Sequence, residues 1–555
     1  MESRKNTEVL VSIDFGSTFT KVHYAVHTAQ AVSFDELNLE PCKFAKRSTA
    51  PRHKWVPSSI QYSPSGDAVG WGYDPIGDGA VVIKGIKLCL QQDDQLVDPM
   101  DCPVTADAIQ QRRNLRKTAI GVLKDYLAGL WEACRSQIEP PGTPVAWRLV
   151  VTHPVGWNID KLEKAIDAAI ITPDRDNSTW TLNFQTEAEA AMLAMLNAYD
   201  GQRVPIQNET VMVVDLGGLT MDISTGHFST QTGIPSLNWL LPPTSQLCGA
   251  SLFTDTFCKL LENTTTNLLL ELPAPSWYYD AIKKWEDKIL PTFRPGLCSV
   301  LRFHVPGGNF KSTAKETHYR WVKENQVPVH SEEVESIIDF HLEKVTATIE
   351  EQINTLLKNG STVDRLCLTG GFSQNIFVYL RVKELAQKRS IKFDSLGSKI
   401  PGSSMLAVSR GAALYGYHLS RFPVSDVHSS DIFLLVGDRH DSRITLTRKD
   451  EFMPQHTLKC IPIRSHLIQG CFVQEYGGYK LGVYSTSSDG IAVVVGHITW
   501  KRVQRKLAPD DVCTLKMWLR RDGGGGVDFD FLVRMADIAM YVNRVEKGQA
   551  YFCRR

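Results

Sequence analysis

The chain has 555 residues, of which 43% are hydrophobic and 22% charged, and its 61 Lys and Arg residues balance 61 Asp and Glu residues. A chain of this length is too long to fold around a single hydrophobic core, so we expect about two to four compact units. The balanced charge excludes a global field that attracts nucleic acid, and no uncharged apolar run reaches the roughly 18 residues of a membrane span. We therefore expect neither nucleic acid nor a membrane as a partner.

Three short apolar strands, taken in chain order, each end in a turn of small residues. Alternating segments follow the first two turns, which predicts two β-hairpins rather than strand-to-helix units. The two hairpins are similar in sequence, so an internal duplication with two similar lobes is the simplest explanation. The strands and turns are VLVSID before Phe15-Gly16-Ser17-Thr18, VMVVD before Leu216-Gly217-Gly218, and RLCLT before Gly370-Gly371.

Helices and further strands alternate as far as Tyr417, and short strands separated by turns replace long helices after Phe422. We therefore expect an α/β unit over residues 1–420 and a smaller β-rich C-terminal domain over residues 421–555. The last helix of the α/β unit is rich in small residues, which suits close packing. The predicted helices are 112–138, 159–171, 250–262, 281–290, 331–358 and 403–417, and WRLVVTHP is a further buried strand.

The turns after the first two strands carry residues suited to a phosphate site. Gly, Ser and Thr leave backbone N–H groups open to phosphate oxygens, because no bulky side chain stands in the way. Asp14 and Asp215 end the two strands, and two carboxylates facing each other across a cleft can hold hydrated Mg²⁺. Hydrolysis of a phosphoanhydride requires this combination.

The cysteines and the N-terminal residues bear on metal binding and location. None of the twelve cysteines belongs to a C-x-x-C pair, so we expect reduced structural thiols and no zinc site. The first residues contain no long apolar core typical of a signal peptide. We therefore expect a cytoplasmic protein.

Three segments resemble the two phosphate motifs and the adenosine motif of the actin, sugar-kinase and heat shock protein 70 superfamily. Further segments favour the heat shock protein 70 branch, and within it the chain looks most like the divergent 12A-type subfamily and its fungal relatives. The three motifs are Ile13 to Phe19, Val214 to Asp222 and Leu368 to Ser373, and the further segments are Val151 to Trp157, Thr186 to Ala191, Leu247 to Ala250 and Ser409 to Ala413.

The resemblance implies a two-lobed actin-like ATPase with duplicated ribonuclease-H-like lobes. Lobe I would span about 1–209 plus 400–420, and lobe II about 210–399. The implied ligands are ATP or ADP with Mg²⁺, and the implied activity is that of a chaperone-like ATPase whose lobe closure controls the β-rich domain.

The resemblance also implies site residues. Asp14 and Asp215 would hold Mg²⁺ through water, and Lys87 would neutralise the transferring phosphoryl group. The implied catalytic residues are Asp14, Lys87, Glu187, Asp215 and Asp222, and the implied nucleotide contacts are Gly16, Ser17, Thr18, Gly217, Gly218, Thr220, Gly249, Glu286, Lys288, Gly370, Gly371 and Ser373.

One departure from the motif concerns Leu219, which replaces the third glycine of the second phosphate motif. A bulky residue there would crowd the phosphates or resist a positive φ angle. We therefore expect nucleotide binding to survive and turnover to slow.

Three functions stay open at this point. The first is the chaperone-like ATPase, and the second is an ATP-dependent enzyme acting on a small molecule, such as a biosynthetic enzyme or phosphotransferase, because related folds host both. The third is a nucleotide-sensing scaffold without turnover. The partner is accordingly a nucleotide together with a protein client or small-molecule substrate of unknown identity.

Overall fold

The computed structural model describes most residues up to 419 and a series of strands beyond residue 430. The described ranges are 7–28, 38–45, 52–90, 103–138, 145–154, 157, 159–171, 178–198, 209–229, 236–242, 244–293, 299–312, 324–395 and 403–419. The later strands are Ile432–Leu435, Arg443–Thr447, Thr457–Arg464, Val473–Glu475, Gly478–Thr486, Ala492–Lys501, Val512–Arg521, Val527–Met535 and Ile538–Met540. The fold is mixed α/β, as predicted.

The first sheet is built on the first predicted hairpin. Its strand Thr7–Phe15 pairs antiparallel with Phe19–Thr28 and parallel with Val145–His153. The last of these pairs parallel with Thr179–Thr186. Two short strands, Glu40–Pro41 and Val56–Pro57, add antiparallel to the outer side of the hairpin.

The second sheet repeats this arrangement. Thr210–Leu216 pairs antiparallel with Thr220–Ser229 and parallel with Arg365–Thr369, which pairs parallel with Lys392–Ser395. The short strands Ser236–Trp239 and Thr244–Leu247 again add antiparallel to the outer side of the hairpin. Both sheets therefore place a hairpin beside two parallel strands in the same order, which is the pattern that a duplicated unit produces.

The helices largely follow the predicted positions but differ in their ends. The predicted helix 331–358 is confirmed as Ser331–Lys358. The predicted helix 112–138 is instead divided between Pro103–Asn114 and Ala119–Arg135. The chain breaks between them because Arg116 has a positive φ of 54°, and Thr118 Oγ1 caps Ala119–Arg135 by accepting from Gly121 N (3.0 Å). The α-helices are Ile86–Cys89, Pro103–Asn114, Ala119–Arg135, Asp160–Ile166, Glu187–Ala198, Ala250–Leu268, Pro275–Lys284, Leu290–Thr292, Ser331–Lys358, Ile376–Lys388 and Ser403–Leu419, with a 3₁₀ turn at Phe372–Gln374.

Two of the predicted helices contain π-helical turns. Asp160–Ile166 continues into Asp167–Ile171, and Pro275–Lys284 continues into Trp285–Ile289. A π turn shifts the direction of the side chains that follow it, because it adds one residue to the turn, and such turns are frequent at functional sites. Among the described helices, none is long and apolar enough to span a bilayer.

Two helices pack between the sheets. Glu187–Ala198 and Ser403–Leu419 share a buried cluster that contains Leu10 and Val150 of the first sheet and Val211 of the second. The small-residue packing predicted for the last helix is confirmed, because a Cβ on Gly411 would overlap the Ala190 carbonyl. Separate hydrophobic clusters fill the remainder of each half. The cluster between the sheets thus fixes the two hairpins relative to each other.

The strands beyond residue 430 form two groups. Thr457–Arg464 pairs antiparallel with Thr179–Thr186 and so extends the first sheet, which continues through Val512–Arg521, Val527–Met535 and Ile538–Met540. The other strands form a sheet of their own. Two small sheets complete the described part of the chain, namely Ile60–Tyr62 with Ala68–Trp71 and Val81–Ile83, and Val300–His304 with Gln326–His330. The domain boundary at residue 420 stays a prediction.

Candidate functional site

A cavity of about 480 Å³ lies where the two hairpin turns meet the turn at Gly370 and Gly371. This volume is within the range of small-molecule sites. Most of the predicted site residues line it, although they are far apart in the sequence. Those that do are Asp14, Gly16, Ser17, Thr18, Lys87, Glu187, Asp215, Gly217, Gly218, Thr220, Asp222, Glu286, Gly370 and Gly371.

The strand register explains why these residues meet. Asp14 pairs with Lys21 across the first hairpin, and Asp215 pairs with Asp222 across the second. Asp215 also lies beside Thr369, the last residue before the Gly370 turn. The two aspartates therefore occupy equivalent places in the two sheets, each near the end of a strand that points to the cavity.

The turns approach each other closely. A Cβ on Gly218 would overlap the Thr18 side chain, so the two hairpin turns are in contact. Gly370 has φ of 92°, and a Cβ there would overlap the Asp215 carboxylate and the Leu216 carbonyl. Gly218 is therefore required because the neighbouring turn approaches it closely, and Gly370 is required both by close approach and by its positive φ.

Four carboxylates and two lysines form the polar end of the cavity. Asp14, Glu187, Asp215 and Asp222 are all buried. Lys21 Nζ lies 3.0 Å from Asp14 Oδ2, and Lys87 Nζ donates to Glu187 Oε1. Because the carboxyl groups outnumber the lysines, this end of the cavity attracts protons or cations.

Burial raises the pKa values of three of these carboxylates, Glu187, Asp215 and Asp222. Burial, together with the charges of Glu187, Asp222 and Asp14, raises the pKa of Asp215 well above its ordinary value. Burial likewise raises the pKa of Glu187 to about 7, with Lys87 opposing the shift and the two neighbouring aspartates reinforcing it. A cation bound here would stabilise the ionised carboxylates and lower both pKa values.

Lys87 keeps its charge in this environment. Burial alone would lower its pKa, but the charges of Glu187 and Asp14 raise it. The Lys87 ammonium also lies 5.5 Å from the centre of the Trp157 ring, a favourable cation–π distance. The side chain is therefore a fixed positive charge on the wall of the cavity.

The residues present fit a hydrated divalent cation. Asp222 Oδ1 is buried and has no hydrogen-bond partner in the described structure, which marks an unsatisfied acceptor at the cavity. In the described part of the chain, no three His, Cys, Asp or Glu side chains converge closely enough to hold a metal directly. A magnesium ion at this place would keep water ligands, as Mg²⁺ usually does, and Asp14 and Asp215 would bind those waters.

Three predicted contact residues do not line the cavity. Gly249 N donates to Leu219 O (2.9 Å), and Ser373 Oγ donates to Gly370 O (2.7 Å). These two residues therefore stabilise the second and third turns by hydrogen bonds without lining the cavity. Lys288 is exposed on the π-helical segment, whereas Glu286 of the same segment reaches the cavity wall. The roles of these three residues in nucleotide binding stay predictions.

Leu219 differs from the expectation of crowding. Its side chain is 2% exposed, it is not among the residues that line the cavity, and its φ is not positive. The backbone around it is held by Gly249 and by Ser251 N, which donates to Gly218 O (2.7 Å). The leucine therefore packs away from the cavity, and the glycine-specific conformation that the motif implies is not needed here.

Sequence reasoning missed several residues of the wall. Lys21 was detectable, because the hairpin register places it opposite Asp14. The others come from loops and helix starts whose approach to the cavity depends on tertiary packing, and no sequence signal identified them. They include Trp55, Ser251, Thr254, Leu290, Asn375, Ser404, Met405 and Val408. Phe372, which also lines the cavity, lies within the third motif.

Comparison with known proteins yields no assignment. A scan against protein-family models matched no family, and a search of curated proteins found no significant match. The resemblance to heat shock protein 70 therefore depends on the motif segments of the sequence.

Proposed function

We propose that this chain binds ATP with Mg²⁺ in the cavity and hydrolyses it, as a chaperone-like protein in which closure around the nucleotide controls the C-terminal strands. The observation that carries the proposal is the convergence of three small-residue turns, four carboxylates and two lysines on one cavity of about 480 Å³. A triphosphate with a hydrated cation matches this combination of backbone N–H groups, acidic side chains and ammonium groups.

The repeated sheet supports a two-lobed, actin-like arrangement. Each lobe would contribute one hairpin, and the helices Glu187–Ala198 and Ser403–Leu419 would form the contact between lobes. The cavity would then lie between two similar halves. A ligand that touches both hairpin turns would favour the closed arrangement of the lobes, because it gains contacts only when the turns are close.

The polar end of the cavity has the groups that phosphoryl transfer to water needs. Backbone N–H groups at Gly16 to Thr18 and at Gly218 would bind phosphate oxygens, whereas Gly217 N donates to Thr220 O (2.9 Å) and closes the second hairpin turn. Lys87 would balance negative charge on the transferring group. Mg²⁺, when bound, supplies further positive charge beside the phosphates. Glu187, which is buried at the cavity and accepts from Lys87 Nζ, would orient the attacking water.

The other end of the cavity is suited to a nucleoside. Its wall combines the bare backbone of Gly370 and Gly371 with the apolar side chains of Leu290, Phe372 and Met405. Apolar walls of this kind bind aromatic bases, and a few polar groups among them fix the orientation. Glu286 lines the cavity and would be the polar group that fixes the orientation of the nucleoside.

The position of Leu219 bears on the choice between hydrolysis and a scaffold without turnover. The scaffold hypothesis depended on a bulky side chain beside the phosphates. Since Leu219 is buried outside the cavity lining, that reason for slow turnover is removed. We therefore favour hydrolysis.

Single-turnover hydrolysis of labelled ATP with Mg²⁺ tests the proposal. The native chain is expected to form ADP and phosphate, and Asp215→Asn is expected to bind ATP but form ADP at least about 100-fold more slowly, because it loses a charge that holds the hydrated metal. Retention of intact ATP by the native chain would rule out hydrolysis. A phosphorylated small molecule in place of free phosphate would identify a phosphotransferase instead.

A further inference from the structure

Ser404 occupies an unusual place on the nucleoside side of the cavity. It is the second residue of the helix Ser403–Leu419 and lines the cavity, yet it is only 1% exposed. Its neighbour Met405 reaches the third turn, since a Cβ on Gly371 would lie 3.6 Å from Met405 Cγ. The start of this helix therefore forms the wall beside Gly371.

The hydroxyl of Ser404 is buried without a hydrogen-bond partner in the described structure. Among the described residues that line the cavity, only Asp222 Oδ1 shares this property. Other buried serines nearby are satisfied. Ser373 Oγ donates to Gly370 O, and Ser409 Oγ bonds to His23 Nδ1 (3.0 Å). An unsatisfied buried hydroxyl lowers stability, so its presence at a cavity points to a ligand that completes it.

The location of Ser404 relative to the carboxylates indicates which part of a nucleotide it meets. Gly370 contacts Asp215 on one side, and Gly371 contacts Met405 on the other, so this turn leads from the carboxylate end to Ser404. In a nucleotide the ribose joins the phosphates to the base. The group that lies next along the wall from the carboxylates is therefore the sugar.

We propose that the Ser404 hydroxyl hydrogen-bonds to a ribose hydroxyl of the bound nucleotide and makes the chain select ribonucleotides over deoxyribonucleotides. This inference rests on the proposed nucleotide function and adds a specificity residue that none of the sequence motifs contains. A serine hydroxyl donates and accepts, and rotation about one bond turns it toward the ligand. A buried site that pairs with a substrate hydroxyl rejects the analogue lacking it, because the site's own group is then left unpaired.

The test is calorimetric titration of the full chain with ATP, 2′-deoxy-ATP and 3′-deoxy-ATP in the presence of Mg²⁺. The native chain is expected to bind ATP about tenfold more tightly than one of the two deoxy analogues. Ser404→Ala should weaken ATP binding by about the same factor and leave that analogue unchanged, so that the discrimination disappears. Ser409→Ala, on the same helix, is the matched control and should retain the discrimination.

A second measurement separates ligand recognition from a structural role. In the nucleotide-free chain, Ser404→Ala should leave the thermal midpoint unchanged or raise it, because it removes an unsatisfied hydroxyl, whereas Ser409→Ala should lower it. Equal weakening of all three nucleotides by Ser404→Ala, or no discrimination in the native chain, would overturn the proposal for Ser404 alone. Absence of ATP binding by the native chain would overturn the proposed function and this inference with it.

Discussion

Lys21 and Asp14 face each other across the first hairpin, with Lys21 Nζ 3.0 Å from Asp14 Oδ2. In the second hairpin the equivalent pair is Asp222 and Asp215. The two sheets therefore repeat in topology but differ in charge, with a cation opposite the first aspartate and a second carboxylate opposite the other. The cavity between them has a positive group on one hairpin and an excess of acid on the other.

Replacing Lys21 by Gln should weaken ATP binding by about tenfold, because it removes a charged hydrogen bond from Lys21 to the phosphates. Such a bond contributes roughly 1.5–3 kcal/mol, and the net effect is smaller because Lys21 is already paired with Asp14 when no nucleotide is bound. Lys21→Arg, which keeps the charge, should bind nearly as well as the native chain. Titration with ATP and Mg²⁺ measures both. Unchanged affinity in Lys21→Gln would show that the lysine stays paired with Asp14 and does not meet the phosphates.

Replacing Lys87 by Met should slow single-turnover hydrolysis by about 100-fold or more, since it removes a fixed positive charge from the polar end of the cavity. Lys84 is the matched control because it is exposed and does not line the cavity. Lys84→Met should hydrolyse ATP at the native rate. Equal losses in the two variants would place the effect outside the cavity.

The carboxylate cluster should make the nucleotide-free chain less stable as pH rises. The pKa of Glu187 is raised from 4.5 to about 7, so between these values the folded state holds a proton that the unfolded state has released. Stability associated with this group is full below about pH 4.5 and is lost as pH approaches 7, with a total on the order of 3 kcal/mol. Glu187→Gln should flatten this part of the profile.

Thermal or urea unfolding of the native chain and Glu187→Gln at pH 5 and pH 7.5, without nucleotide, checks this sign. Raised pKa values of Asp215 and Asp222 act in the same direction, so the variant should reduce the slope rather than abolish it. A difference between the two chains that does not change with pH would contradict the assignment to Glu187.

Replacing Leu219 by Gly should destabilise the protein without accelerating hydrolysis. The side chain is 2% exposed, and removing a buried leucine typically costs about 2–5 kcal/mol. Single-turnover rates, expressed per folded molecule, should stay within about threefold of the native rate, because Leu219 does not line the cavity. A large gain in turnover would instead restore the crowding hypothesis.

Gly411→Ala should lower the free energy of unfolding by at least about 2 kcal/mol, because the added Cβ would overlap the Ala190 carbonyl where two helices cross between the sheets. Gly77→Ala is the control, since its Cβ would meet only Ala80 Cβ at 3.9 Å. Urea titration of both variants measures the difference. Equal stability would mean that the two helices can move apart without cost.

The amino-acid sequence by itself determined the local elements of the site. The apolar runs before Phe15, Leu216 and Gly370 predicted three buried strands, and the alternation after the first two predicted hairpins, because side chains in a strand alternate between faces. The helix Ser331–Lys358 was also predicted with its observed ends, since its apolar period is unbroken and Asn359-Gly360 follows it. These signals depend on neighbours in the chain.

Only the tertiary structure decided which of these residues share a cavity and where their side chains point. Leu219 and Ser373 belong to motif segments but face the interior, while Lys21 and Ser404 lie on the wall without belonging to the predicted site. The direction of a side chain at a turn depends on close contacts such as Gly218 with Thr18, and these form between segments about two hundred residues apart. The local periodicity of the sequence does not predict such contacts, because packing between the two sheets determines them.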